Sequence, residues 1–417
     1  MKTKLFLLSF LLIFLTLSAF SEAPGNLNNG GFVLTEGENV YLADTKGLWL
    51  ITESAPPLLI EEGPVSMVQS YDGRIYYLKD LYGEDLYGFT SLVSQTPYSC
   101  LPDGTDKQQL GESRAVGNRF EYTGENGEIM EMDLYAGYQC FTVYDGFLYY
   151  LTNSGLPGEY VCTGEYGNGG GTLSVTGKFS SGIALFRSDL SGENTVRLTG
   201  PIGNSIACMA IENDRIYLAA GYQDTIYAYN YVNYFICSMD GEIISEFRNT
   251  LKDPENPLKS DAGEFYHIPN AVLPCGEDML VSLADSEGDF VASQLFRLDS
   301  NGIMTKIAIE QQYVPSLLSD GKVYYAGSAS STNFYDDLIN YADSFGIYVK
   351  GADEEGAGVK LCPIRYDGYA FNLKISISGN YIYFKGETGE IFRAHTETGE
   401  TEKFTNTGFI KASAVGR

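Results

Sequence analysis

Val68-Gln69-Ser70-Tyr71-Asp72-Gly73-Arg74-Ile75-Tyr76-Tyr77-Leu78 reads as an apolar strand, a two-residue turn and a Tyr-rich strand. Asp-Gly is the pair that a tight hairpin turn demands, because both central residues take positive φ. The same pattern returns along the chain. It is found at 32–42 around Gly37, at Phe141-Thr142-Val143-Tyr144-Asp145-Gly146-Phe147-Leu148-Tyr149-Tyr150, at 209–217 around Asn213-Asp214, at 272–281 around Gly276, at 317–325 around Asp320-Gly321 and at 375–384 around Gly379. Self-similarity at a spacing of tens of residues points to a repeat architecture.

Each repeat continues into a third strand that ends in an acidic Gly turn, as in Leu185-Phe186-Arg187-Ser188-Asp189-Leu190-Ser191-Gly192 and Leu295-Phe296-Arg297-Leu298-Asp299-Ser300-Asn301-Gly302. A short fourth strand follows. Four antiparallel strands per unit describe an all-β chain, a β-propeller of four-stranded blades that escapes exposed sheet edges by closing into a ring. The units favour seven blades, with six and eight left open. The tail 408–415 reads as one further inner strand that closes the ring on the first blade.

The two hairpin types together resemble the bacterial exported β-propellers that are similar to the low-density-lipoprotein-receptor-related propeller domain, a family of unknown function. The resemblance runs over residues 22–417 and implies the fold without an activity. The receptor-type Tyr-Trp-Thr-Asp signature is replaced by Ile75-Tyr76-Tyr77-Leu78 and Leu148-Tyr149-Tyr150-Leu151.

Residues 1–21 read as a signal peptide: Lys2 and Lys4, an apolar run over 5–20, and Ala19-Phe20-Ser21 as a small-x-small cleavage site. Residues 22–417 then form a single propeller domain, secreted or held at the cell envelope, with no membrane span after cleavage. With 54 acidic against 27 basic residues and a formal charge of −27, the surface repels phosphate backbones, which excludes nucleic acid as a partner. The 32 Tyr suit strands with one packed face and a phenol that reaches water. Seven Cys in an exported chain leave one thiol unpaired, and Cys140 with Cys162 is the best disulfide candidate. Cys100 and Cys237 are read into the slot that Arg187 and Arg297 fill elsewhere.

In such a meander the first-to-second and third-to-fourth turns share one face of the ring, and the other loops share the opposite face. The first set is short throughout. The second holds the insertions, so one face is bare and the other is overbuilt, and elaborated loops on a rigid ring are where ligand contacts concentrate. The candidate ligand-binding residues there are Tyr160, Tyr222, Tyr227, Tyr229, His267, Tyr335, Asp336 and Asp337. Aromatic platforms beside carboxylates stack on sugars or anchor peptides. Asp336, Asp337 and Asp343 offer oxygen ligands for calcium, but no complete calcium-loop motif accompanies them.

The expected function is a binding module for a carbohydrate or an extracellular protein. The alternative is a glycoside hydrolase or lyase with a carboxylate pair on the same face. No nucleophile elbow and no phosphate-loop spacing are present, and His267 and His395 are the two histidines, so the chain is expected not to be an enzyme.

Overall fold

A computed structural model describes residues 32–404 except 45, 53–54, 85–89, 117, 124–128, 135–136, 166–171, 180, 205, 224–229, 249–265, 286–292, 308–310, 313–316, 329–344, 353, 355, 365–374 and 386–390. It is a seven-bladed β-propeller with four antiparallel strands in each blade. The first blade is Val33–Glu36, Asn39–Ala43, Gly47–Ile51 and Leu58–Glu62, and the seventh is Ile375–Ser378, Tyr381–Lys385, Ile391–His395 and Thr401–Lys403. Each takes its four strands from one consecutive stretch. The expected closing strand at 408–415 lies outside the described residues. Blades five and six are joined into one nine-stranded sheet by Gln311–Gln312, which pairs with Ser293 on one side and with Gly327 and Ser328 on the other.

The hairpin turns explain the repeat. Asp72 and Gly73, Asp145 and Gly146, Asn213 and Asp214, and Asp320 and Gly321 all have positive φ, as a type I′ turn requires. Gly37, Gly276 and Gly379 are positive at the first position alone, as a type II′ turn requires.

The conserved-looking Gly after the third strand has a second duty. Gly192 has φ +81°, and a Cβ there would stand 1.1 Å from the carbonyl oxygen of Leu110 in the preceding blade. Gly104, Gly241, Gly302 and Gly399 are pressed in the same way against Ile60, Leu198, Phe247 and Leu361. The turn of one blade is therefore keyed to the outer strand of the one before.

The tyrosines pack more deeply than composition suggests. Tyr41, Tyr77, Tyr149, Tyr217, Tyr325 and Tyr383, all on second strands, are fully buried between blades. Two of these phenols reach the next blade rather than water: Tyr41 donates to Pro102 O at 3.2 Å and Tyr217 to Gly276 O at 3.2 Å. Burial pushes the Tyr41 hydroxyl up to about 12, with the charge of Glu36 adding to it. A buried aromatic ring with its polar tip satisfied contributes roughly 1.5–3 kcal/mol.

Inner strands are clipped to one another by side chains. Gln69 donates to Phe141 O at 2.8 Å and accepts from Val143 N at 2.7 Å. Ser376 and Ser378 accept from Phe32 N and Thr35 N at 2.8 and 2.9 Å, which closes the seventh blade on the first. Thiols make similar cross-blade contacts two residues earlier on their inner strands: Cys208 Sγ lies 3.3 Å from Pro269 O and Cys140 Sγ 3.7 Å from Ala207 O. Cys140 is a free, buried thiol, so the expected bridge to Cys162 is not made; its sulfur is directed at the fourth blade as a packing group. Burial pushes it up to about 12, which keeps it protonated and unreactive.

The slot given to Cys100 and Cys237 is off by one. The four turns close alike, with Gly104, Gly192, Gly241 and Gly302 donating to Leu101, Asp189, Ser238 and Asp299. Cys100 and Cys237 thus match Ser188 and Leu298, opposite Ile75 and Ile216 in the core. The place of Arg187 is taken by Ser99, and Arg74 from the second strand reaches Ser99 Oγ at 3.1–3.2 Å instead.

Candidate functional site

The loop-bearing face is uneven. Over blade two the second and third strands, Arg74–Glu84 and Thr90–Cys100, run eleven residues each, and the inner strand pairs no further than Val65 with Lys79. Asp80 N still donates to Pro64 O at 2.9 Å, so residues 81–84 stand above the ring, about 13 Å of β-structure. Arg114–Ala115 pairs with Ser94 and Gln95 on this extension, and the chain then folds into the hairpin Asn118–Thr123 and Ile129–Leu134. A second hairpin, Gly158–Glu165 with Thr172–Phe179, is inserted between the second and third strands of blade three, and the strand Thr172–Phe179 lies against Asn118–Thr123. Blade four adds a taller pair, with Tyr222 opposite Tyr231 and Gln223 opposite Asn230. Together these make a raised wall over blades two to four. On it Leu81 is 59% exposed and Tyr82 48% exposed.

A polar spine runs at the foot of the wall. Asp80 is buried, and its Oδ1 accepts from Ser66 Oγ at 3.0 Å and from Gln95 Nε2 at 3.0 Å. Gln95 Oε1 accepts from Tyr138 N at 3.0 Å, Tyr138 OH donates to Glu112 O at 3.0 Å, and the Arg114 guanidinium lies 5.6 Å over the Tyr138 ring. Burial raises the Tyr138 hydroxyl against the opposing pull of Arg114. Ser66 stands beside an irregularity: Met67 has φ +52°, and the register slips between Ser66 and Gln69. The other non-glycine residues of positive φ are all Asp or Asn, which tolerate it. A bulge of this kind re-aims a side chain, here Ser66 toward Asp80. Nothing in the local sequence marks it.

Of the candidate residues, Tyr160 is on the strand Gly158–Glu165 of the wall, opposite Gly177, and Tyr222 is on the blade-four extension. His267 is on the inner strand Tyr266–Cys275, within an irregularity between Tyr266 and Ile268. Tyr227, Tyr229, Tyr335, Asp336 and Asp337 lie outside the described residues, as does Asp343. Among the described residues no group of three or more His, Cys, Asp or Glu side chains could hold a metal ion. The acidic turns are instead self-capped: Asp189 Oδ1 accepts from Ser191 N, Ser191 Oγ and Glu193 N, and the Ser191 hydroxyl holds its carboxyl below the ordinary range. His395 is a turn residue too, accepting from Glu397 N at Nδ1. Among described carboxyls with a resolved shift, Glu212 alone is raised, by burial, and it ends an inner strand at the bare face.

No protein-family model matches the sequence, and no curated protein matches it either. Solved structures do. The chain is similar to puromycin hydrolase at 11% identity and a TM-score of 0.51, over 91% of this chain and 55% of that one. It is also similar to a Mycobacterium tuberculosis puromycin-hydrolyzing peptidase (11% identity, TM-score 0.48, 92% and 53%) and to Pyrococcus horikoshii acylaminoacyl peptidase (10%, 0.46, 93% and 54%). The chain spans about half the length of these structures. The likeness to puromycin hydrolase supports the propeller fold, and the expected kinship with receptor-related propellers reduces to that seven-bladed fold. The expectation that the chain stands apart from enzymes is corrected here: puromycin hydrolase carries a propeller of this shape, so the lack of a legible catalytic motif does not separate this chain from enzymes.

Proposed function

We propose that the chain is an exported recognition propeller whose loop-bearing face, in the sector over blades two to four, holds a carbohydrate or an extracellular protein. The observation that carries this reading is the raised wall with its exposed Leu81 and Tyr82, founded on the fixed spine of Ser66, Asp80, Gln95 and Tyr138. A ring with short turns on one face and a β-built wall on the other places apolar anchors on a rigid support, which lowers the ordering cost of binding. The acidic surface favours neutral or basic ligands over nucleic acid or anionic lipid.

A second reading is favoured by the likeness to puromycin hydrolase: the propeller is the recognition half of a peptide-cleaving assembly, with the reacting groups on another segment or chain. A thermal-shift panel of oligosaccharides, extracellular proteins, peptides and puromycin, run on residues 22–417, tests both, since a ligand selective for the folded state raises the midpoint by mass action. A sugar or protein response supports the first reading. A response confined to peptides or puromycin supports the second, and a flat panel overturns both.

A further inference from the structure

The seam between blades one and two holds a group that the wall does not use. Glu61, on the outermost strand of blade one, has a side chain only 8% exposed. Lys79 Nζ meets its Oε1 at 2.5 Å, Lys107 Nζ meets its Oε2 at 3.0 Å, and Tyr77 OH donates to Oε2 at 2.9 Å. Burial works against the charged carboxylate, but these three donors outweigh it and hold the carboxyl below its ordinary range. The two ammonium groups sum to one positive charge in excess of Glu61. Both remain open to water, at 41% and 42% side-chain exposure. An excess cation is unexpected in a chain of charge −27.

We propose that Lys79 and Lys107 form a binding site for an external carboxylate, with Glu61 as the buried group that holds them together. Each ammonium takes one oxygen of Glu61, so the two cations are held side by side at the open rim of the seam. An incoming carboxylate there meets two donors and neutralises the excess charge. The global charge opposes any anion, but beyond about 8 Å it is screened at physiological salt, so the local pair decides. Tyr77 fixes the inner oxygen and leaves the ammonium protons for the ligand. An acidic peptide and an acidic sugar share this chemistry. The site is independent of the raised wall.

Calorimetric titration of the full chain at about 150 mM salt with a hexaglutamate peptide and, separately, with trigalacturonate tests the site, with neutral maltotriose as control. Saturable binding of one or both acidic probes is expected, and which of them binds identifies the source of the carboxylate. Lys79→Met and Lys107→Met are each expected to weaken it about tenfold or more, with unfolding midpoints confirming that both fold. Glu61→Gln keeps both ammoniums but releases them from the shared carboxylate, so it is expected to weaken binding and to lower the unfolding midpoint. A purely structural ion cluster predicts no binding in any of the four proteins. No saturable binding of either acidic probe, equal binding of maltotriose, or unchanged affinity in both Met variants would overturn the proposal.

Discussion

The two ends of the ring obey different rules. At the bare end, two-residue hairpins recur in all seven blades and keyed Gly turns in five of them, because each turn must supply positive φ and each keyed Gly must fit against the preceding blade. At the loop-bearing end the first three blades already differ: blade two is extended by paired strands, blade three carries an inserted hairpin, and blade one connects its second strand at Ala43 to its third at Gly47. Stability is therefore concentrated in the repeated end and variation in the other. A scaffold that separates the two can change its ligand without changing its fold.

Gly192→Ala challenges the contrast most strongly. Its Cβ would combine left-handed strain with a collision against the Leu110 carbonyl, and we expect a loss of about 3 kcal/mol or more in urea unfolding. Gly37→Ala, at φ +61° with nothing within 4 Å, should cost about 1 kcal/mol. Equal losses at both would show that keying between blades contributes nothing.

Next in size is the acid response of the first seam. Because the Glu61 carboxyl is depressed in the folded state, its stabilising contribution is present above the ordinary carboxylate range and is lost as pH falls through the lowered value. Glu61→Gln should be destabilised near neutral pH by about 1–3 kcal/mol and should flatten the decline of the melting midpoint on acidification. A parallel decline in both proteins would remove Glu61 from the account.

A smaller effect is expected at the other end. The hairpin Gly158–Phe179 leaves and rejoins blade three at a base closed by Ser154 N to Gly182 O and Gly182 N to Leu156 O. Replacing 158–179 by a short Gly-Ser link should shift the melting midpoint by only about 2–4 °C while removing ligand responses. The smallest concerns Cys140: Cys140→Ser keeps a donor toward Ala207 O, and a change within about 1 kcal/mol is expected. Thiol counting under native and denaturing conditions should find Cys140 unreactive until unfolding.

The fold was legible because its signals are local. Asp72-Gly73 and its relatives announce a turn whatever surrounds them, and the acidic Gly turns fix where third strands end. What sequence could not reveal is set by contacts across blades. The phenols of Tyr41 and Tyr217 look amphipathic in one strand, yet they find partners 61 and 59 residues away. Cys140 and Cys208 act as inner-strand clips, a role given elsewhere to Gln69, so no spacing rule picks them out. The Met67 bulge hides in an ordinary apolar run and brings Ser66 to Asp80. The assembly of Lys79, Lys107 and Glu61 exists only once two blades meet. Half-legible was the proposed binding face: insertion lengths pointed to it, but Tyr227, Tyr229 and Tyr335, chosen there, lie outside the described residues. Tyr82 and Leu81, on the wall itself, carried no motif.

The central claim is that the raised wall over blades two to four is where this propeller meets its ligand. The most direct test runs the thermal-shift panel on the intact protein and on the variant with 158–179 replaced, side by side. The account predicts at least one ligand that raises the midpoint of the intact protein and leaves the shortened variant unmoved. A ligand that stabilises both to the same extent would place the binding face elsewhere on the ring and contradict it.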